Sequence, residues 1–236
     1  AADGAVDWLG RERGRGVLPA LGGGLLEARS LEQRWATLCR VRDELGEPWQ
    51  QPLEWMGWQG TVEGRGETLV RVQCGRESIG ERLSLWLDLL LVSAVAPSRR
   101  PMRAVLISRA DRQAFRITTT LSAPPPKTAA DELERLEALR EAWLERCWPV
   151  PLRTGWAWLE AEQRRVGSGL QAAAETWEGT PQLRGERLQE EMEVCFGAQF
   201  AAAELIQEPF PTCARELLLP FRAAIESGRT SRRTSP

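Results

Sequence analysis

The sequence predicts an α+β fold built on a central sheet, and three observations carry that prediction. A helical apolar period opens the chain, short extended segments with Gly-rich turns follow it, and the second half returns to long Leu-, Ala- and Glu-rich stretches with helical spacing. With 236 residues, 42% hydrophobic and 27% charged, the chain is long enough for one large globular unit with a substantial core.

Residues 1–16 are rich in Gly, Arg and Asp and have no hydrophobic period, which predicts a flexible lead-in. The RERGRG run at 11–16 reads either as a nucleic-acid arm or as a solvated linker, and its shortness and the glutamate that interrupts it favour the linker. A single domain is expected over 17–226. From Leu25 to Leu45 the residues Leu31, Trp35, Leu38, Val41 and Leu45 recur at steps of three and four, an amphipathic helix with one face on a core, ended by Gly46 and Pro48. Extended pieces are expected at Pro52 to Trp58, Gly60 to Glu63 and Thr68 to Gln73, the last two joined by a Gly64-Arg65-Gly66 turn. Glu81 to Val95 is apolar almost all round and predicts a central helix covered on most sides. Ala104 to Ser108 and Ala114 to Leu121 alternate as two more strands about an Ala110 to Gln113 turn. After the Pro124 to Pro126 breaker, Thr128 is a candidate N-cap for a helix over Ala129 to Cys147, with Leu133, Leu136, Leu139, Trp143 and Leu144 on its apolar side. Thr154 to Glu226 alternates Trp- and Ala-rich helical segments with Gly and Pro stops, and residues 227–236 read as a disordered tail.

Absences exclude whole classes of chemistry. There is no histidine, so Ser-His-Asp and Cys-His relays and H-E-x-x-H zinc sites are impossible within this chain. Lys127 is the one lysine and no Gly-rich run precedes it, so no phosphate-cradling G-x-x-x-x-G-K-[ST] loop exists. The five cysteines are scattered, odd in number and never spaced C-x-x-C, which argues against a disulfide framework or zinc knuckle and for a reducing, cytoplasmic setting. A net charge of −2 leaves attraction to nucleic acid to a local arginine-lined face. The longest apolar run, Leu83 to Ala96, is too short to span a bilayer, so no membrane association is expected. The chain begins with Ala and shows no signal pattern, which predicts a piece of a longer polypeptide.

Several blocks occur in a definite order: Leu18-Pro19 with the Gly22 to Gly24 triplet, Gly60-Thr61-Val62, Leu69-Val70-Arg71-Val72, and Arg82-Leu83-Ser84-Leu85-Trp86-Leu87. Trp156-Ala157-Trp158-Leu159, Trp177-Glu178-Gly179, Arg184-Gly185-Glu186 and Leu217-Leu218-Leu219-Pro220-Phe221 follow. The ordered set resembles the last domain of the RecC family, the gamma subunit of exodeoxyribonuclease V, over nearly the whole chain. The resemblance implies a PD-(D/E)xK (restriction-endonuclease-like) core, a mixed sheet flanked by helices with further C-terminal helical segments, related to the nuclease domain of the partner subunit RecB. Active members of that fold place an acidic residue on the strand after G-x-h and a D-x-K on the next, because carboxylates hold Mg²⁺ and a lysine supports the attacking water. Here the first position is Glu63, and the second motif falls on Arg71-Val72-Gln73. Arginine stands where a metal ligand would, glutamine stands for the lysine, and no [DE]-x-K triplet exists anywhere in the chain.

The resemblance therefore implies a domain with no catalytic residue, metal or cofactor of its own. It would serve in double-strand break repair beside RecB-like and RecD-like subunits, handling duplex and single-stranded DNA. Glu63 reads as a hairpin residue paired with a nearby arginine. Trp177, Glu178, Arg184 and Glu186 read either as a turn with a structural ion pair or as contacts to DNA or another subunit. Two other functions stay open: a metal-dependent nuclease with an atypical carboxylate set including Glu63, and a free-standing single-strand binder using Trp stacking and arginines.

Overall fold

The computed structural model describes residues 12, 14–17, 21–95, 101–110, 114–146, 150–197 and 199–233. A long helix, α1 (Leu21–Asp43), leads into a meander of β1 (Pro48–Trp55), β2 (Trp58–Arg65) and β3 (Thr68–Gln73). Helix α2 (Ile79–Val95) crosses to β4 (Arg103–Arg109), and β5 (Phe115–Ser122) returns to helix α3 (Pro126–Arg146). The five strands lie in sequence order, antiparallel except for the parallel β3–β4 pair. Parallel neighbours need a crossover connection, and α2 supplies it. The predicted α+β class with a mixed central sheet is thus what the molecule has.

Strand β4 explains why the sheet needs cover on both sides. Ala104, Val105, Leu106 and Ile107 are all fully buried, so successive side chains leave both faces apolar. On one face Leu38 of α1 packs with Val105, Ile107 and Phe115. The other face holds the larger core, where Leu69, Leu106 and Leu121 of the sheet meet Leu85, Trp86 and Leu89 of α2. Each such side chain contributes about 1.5–3 kcal/mol of burial free energy.

The C-terminal helices complete that core. They are α4 (Leu152–Arg164), α5 (Gly169–Glu178), α6 (Glu190–Phe196), α7 (Ala202–Leu205) and α8 (Phe210–Arg233), with a two-strand ribbon, β6 (Gly179–Thr180) and β7 (Leu183–Arg184), and a 3₁₀ turn at Glu186–Leu188 between α5 and α6. Helix α8 buries Phe210, Cys213, Ala214, Leu218, Phe221 and Ile225, a stripe at helical spacing that seats Phe221 against Trp86 with ring centroids 5.4 Å apart. Burial pushes the Cys213 thiol up to about 11, so it is an inert core residue.

Local differences from the sequence expectation have physical reasons. The segment expected as one strand from Pro52 to Trp58 is a hairpin, because Met56 and Gly57 take positive φ (46° and 83°) and form a two-residue turn between paired Trp55 and Trp58. The next turn lies at Gly66-Glu67, between paired Arg65 and Thr68, one step beyond the expected Gly64-Arg65-Gly66. Helix α1 begins at Leu21 and includes the glycine triplet, and its predicted apolar face is only half used, since Trp35 is 60% exposed and Leu31 37%. Helix α8 continues to Arg233, past Ser227, where the composition predicts disorder; no proline interrupts the backbone bonds over 227–233. Leu18-Pro19, Cys147, residues 111–113 of the expected β4–β5 turn, and most of the lead-in lie outside the described residues.

Candidate functional site

The sheet is forked. Strands β2 and β3 are eight and six residues long, yet they pair only at Gly64 with Leu69 and Arg65 with Thr68. The closed end is held by Trp49 of β1, whose ring lies on Gly64, where an added Cβ would be 2.1 Å from its Cζ2. The Trp49 indole N–H donates to the Gly66 carbonyl at 2.9 Å. Beyond Gly64 the strands diverge, and a cleft of about 380 Å³ opens between them, lined by Arg42, Gln50, Glu63, Arg65, Arg71 and Asp88 among others.

On the face toward α2 the central group is Arg71. Its Nε donates to Glu81 Oε2 at 2.5 Å and its Nη1 to Asp88 Oδ2 at 3.0 Å. Glu81 and Asp88 are the only acids of α2 and stand seven residues apart, on one side of an otherwise apolar helix. Burial pushes the Asp88 carboxyl above its ordinary range against the pull of the guanidinium. For Arg71 burial acts downward, but the two carboxylates outweigh it and raise its pKa, so the charge is permanent. Gln73 serves the same helix: its Oε1 accepts from the Ser78 N–H at 3.1 Å, while Ser78 Oγ accepts from the Glu81 N–H at 3.2 Å as the N-cap. Glu77, which pairs with Arg82, also accepts from the Thr119 hydroxyl at 3.0 Å and ties this corner to β5.

Glu63 is elsewhere. Val62 belongs to the same core as Leu69, so strand alternation turns Glu63 toward the opposite face. There it accepts from Gln50 Nε2 at 2.8 Å, its register partner on β1, and not from an arginine as the sequence suggests. Glu63 and Arg71 border one cleft on adjacent strands without converging on one point. A divalent ion does not fit this donor set, because the two α2 carboxylates already hold a fixed cation and the third acid lies across the sheet. Among the described residues no group of three His, Cys, Asp or Glu side chains is placed to hold a metal.

A family model described as the RecC C-terminal domain matches residues 2–163, more than half of the 236. The chain belongs to the RecC C-terminal domain family. No curated protein matches it. Family membership ties the domain to exodeoxyribonuclease V and to DNA repair and recombination. The matched span contains the whole fork, with Glu63, Arg71, Gln73, Glu81 and Asp88. No helix among the described residues is long and apolar enough to cross a membrane.

Beyond that span, the four further candidate residues of this RecC domain separate into interior and surface. Trp177 is fully buried, and its indole N–H donates to the Phe200 carbonyl at 2.9 Å. Glu186 is only 3% exposed and accepts from the Arg153 N–H, the Thr154 N–H and the Thr154 hydroxyl at 3.0, 2.7 and 2.7 Å. It thereby caps the N-terminus of α4, whose first backbone donors have no partner within the helix. Both side chains are turned into the domain's own interior, in keeping with the structural one of the two readings that the sequence leaves open. Glu178 accepts from the Ala202 N–H at 2.9 Å and pairs with Arg187 at 2.7 Å. Arg184 is exposed and donates to the Leu188 carbonyl at 2.5 Å. Sequence reasoning missed Glu81 and Asp88 as partners of Arg71. The signal was there: two acids seven apart on an apolar helix require a cation, and β3 carries one arginine.

Proposed function

We propose that this domain is a PD-(D/E)xK-like core that no longer cuts DNA and serves as a subunit-interface and DNA-guiding part of an exodeoxyribonuclease V complex. The observation that carries the proposal is Arg71 between Glu81 and Asp88 at 2.5 and 3.0 Å. A guanidinium there repels Mg²⁺ and occupies both carboxylates that could have gripped it. The order helix, three-strand meander, crossover helix and parallel fourth strand supports the nuclease-like ancestry, with Glu63 and Arg71 on adjacent strands as the motif alignment requires. Gln73 supports it too, since the side chain aligned with the catalytic lysine instead braces the first turn of α2. On this proposal the domain needs no metal or cofactor, works in the cytoplasm, and leaves cleavage and translocation to RecB-like and RecD-like partners.

The test is association. Mixed with a RecB homologue and resolved by gel filtration, the protein is expected to co-elute; elution of the two as separate species would contradict the proposal.

A further inference from the structure

The predicted cover of α2 is incomplete on one side. Leu83, Leu87 and Leu91, one turn apart along α2, are only half-buried, and with Leu133 and Leu136 of α3, Trp55 of β1 and Leu217 of α8 they line an apolar groove of about 300 Å³. Glu137 and Arg140, paired at 2.6 Å, form its polar rim. Large apolar side chains extend the line past the groove itself. Met56, next to Trp55, is 66% exposed, and Leu144, one turn beyond Arg140 on α3, is 74% exposed.

Charge identifies the occupant. Glu134, Glu137, Glu141 and Glu145 follow one another at steps of three and four along α3, so they form a single acidic row beside the groove, with Arg140 already engaged by Glu137. An acidic border repels nucleic acid. It also disfavours a symmetric pair of these domains, in which the same patch faces itself and acidic row meets acidic row. What matches is a partner helix with apolar residues on one stripe, to enter between α2 and α3, and lysines or arginines on its flank to meet the glutamates.

We infer that the α2–α3 groove docks a basic-flanked amphipathic helix of another protein. The inference rests on the proposal that the domain sits among other subunits, and it names the surface and the kind of segment involved. All the groove residues except Leu217 lie within the span matched to the RecC family, so the surface belongs to the family part of the chain.

The experiment uses the intact chain and two fluorescent helical peptides of about 15 residues, identical in their leucine stripe but flanked by lysine in one and glutamate in the other. Saturable binding of the lysine peptide is expected, with the glutamate peptide weaker by about tenfold or more. Leu87→Glu should abolish binding. Because that change touches a half-buried position, Glu141→Lys with Glu145→Lys on the exposed side of α3 provides the second arm and should reverse the preference between the peptides. Equal affinity for both peptides, no saturable binding, or dimerisation of the chain in sedimentation equilibrium that Leu87→Glu abolishes would overturn the inference. Co-elution with a RecB homologue alongside any of these results would leave the subunit proposal standing and remove only the groove.

Discussion

At the residue scale Arg71 of β3 neutralises two carboxylates, Glu81 and Asp88, that stand on one side of α2. Removing it leaves Glu81 and Asp88 as neighbouring anions, one of them pushed toward protonation by burial. Arg71→Ala is expected to cost about 1–2 kcal/mol at pH 7, between the value of a surface pair and a buried one, because all three side chains are about one-third exposed. The pH dependence has a definite sign. Asp88 titrates above its unfolded value, so its ionisation opposes folding as pH rises through the folded pKa, and without the guanidinium that opposition grows. Urea unfolding should therefore show a larger penalty for the variant at pH 7 than near pH 4, and an equal penalty at both would contradict the assignment. Glu186 is the second residue whose role is internal. Glu186→Ala strands two backbone donors and a buried hydroxyl at the start of α4, with an expected loss of about 2–4 kcal/mol measurable by denaturant titration. A change below 0.5 kcal/mol would mean that solvent reaches the helix end.

At the scale of elements, α8 shows how the fold accommodates a breaker. Pro220 lies inside this helix and has no N–H to offer the carbonyl of Glu216 one turn earlier. Arg135 of α3 donates to that carbonyl at 2.8 Å while its other nitrogens pair with Glu132. The two features should be coupled. Arg135→Met is expected to cost about 1–2 kcal/mol in the natural chain and clearly less beside Pro220→Ala, where the helix can satisfy its own carbonyl; additivity in the double-mutant cycle would refute the link. The helices were legible in the sequence because their apolar spacing is long and regular: Leu133 and Leu136 of α3 and the core stripe of α2 fall where periodicity places them, although α3 starts at Pro126, before its expected Thr128 cap, and Leu144 is 74% exposed. The β1–β2 hairpin was not, since its turn uses Met56 at positive φ with no Asn-Gly or Asp-Gly signature. The partial exposure of the apolar face of α1, with Trp35 60% exposed, was also hidden, because periodicity reports which residues share a face and not whether anything lies opposite it.

For the whole molecule, the sequence carried the class of the fold, while the placement of its polar groups had to come from the structure. The absence of histidine and of any [DE]-x-K triplet limited the chemistry before any contact was known. Two facts needed three dimensions: that β2 and β3 part after two register pairs, and that a one-residue alternation sends Glu63 to the far side of the sheet from Arg71. The acids that hold Arg71 lie on a helix, outside the strand motifs that the resemblance brings to mind. The result is a molecule with two distinct surfaces, a polar fork in its sheet and an apolar groove between two helices. The most direct measurement on the central claim is a cleavage assay with the purified chain, labelled single-stranded and duplex DNA, and Mg²⁺ or Mn²⁺. Intact DNA is the predicted result for the natural chain. Metal-dependent cutting that disappears in Glu63→Ala, Glu81→Gln or Asp88→Asn would contradict it.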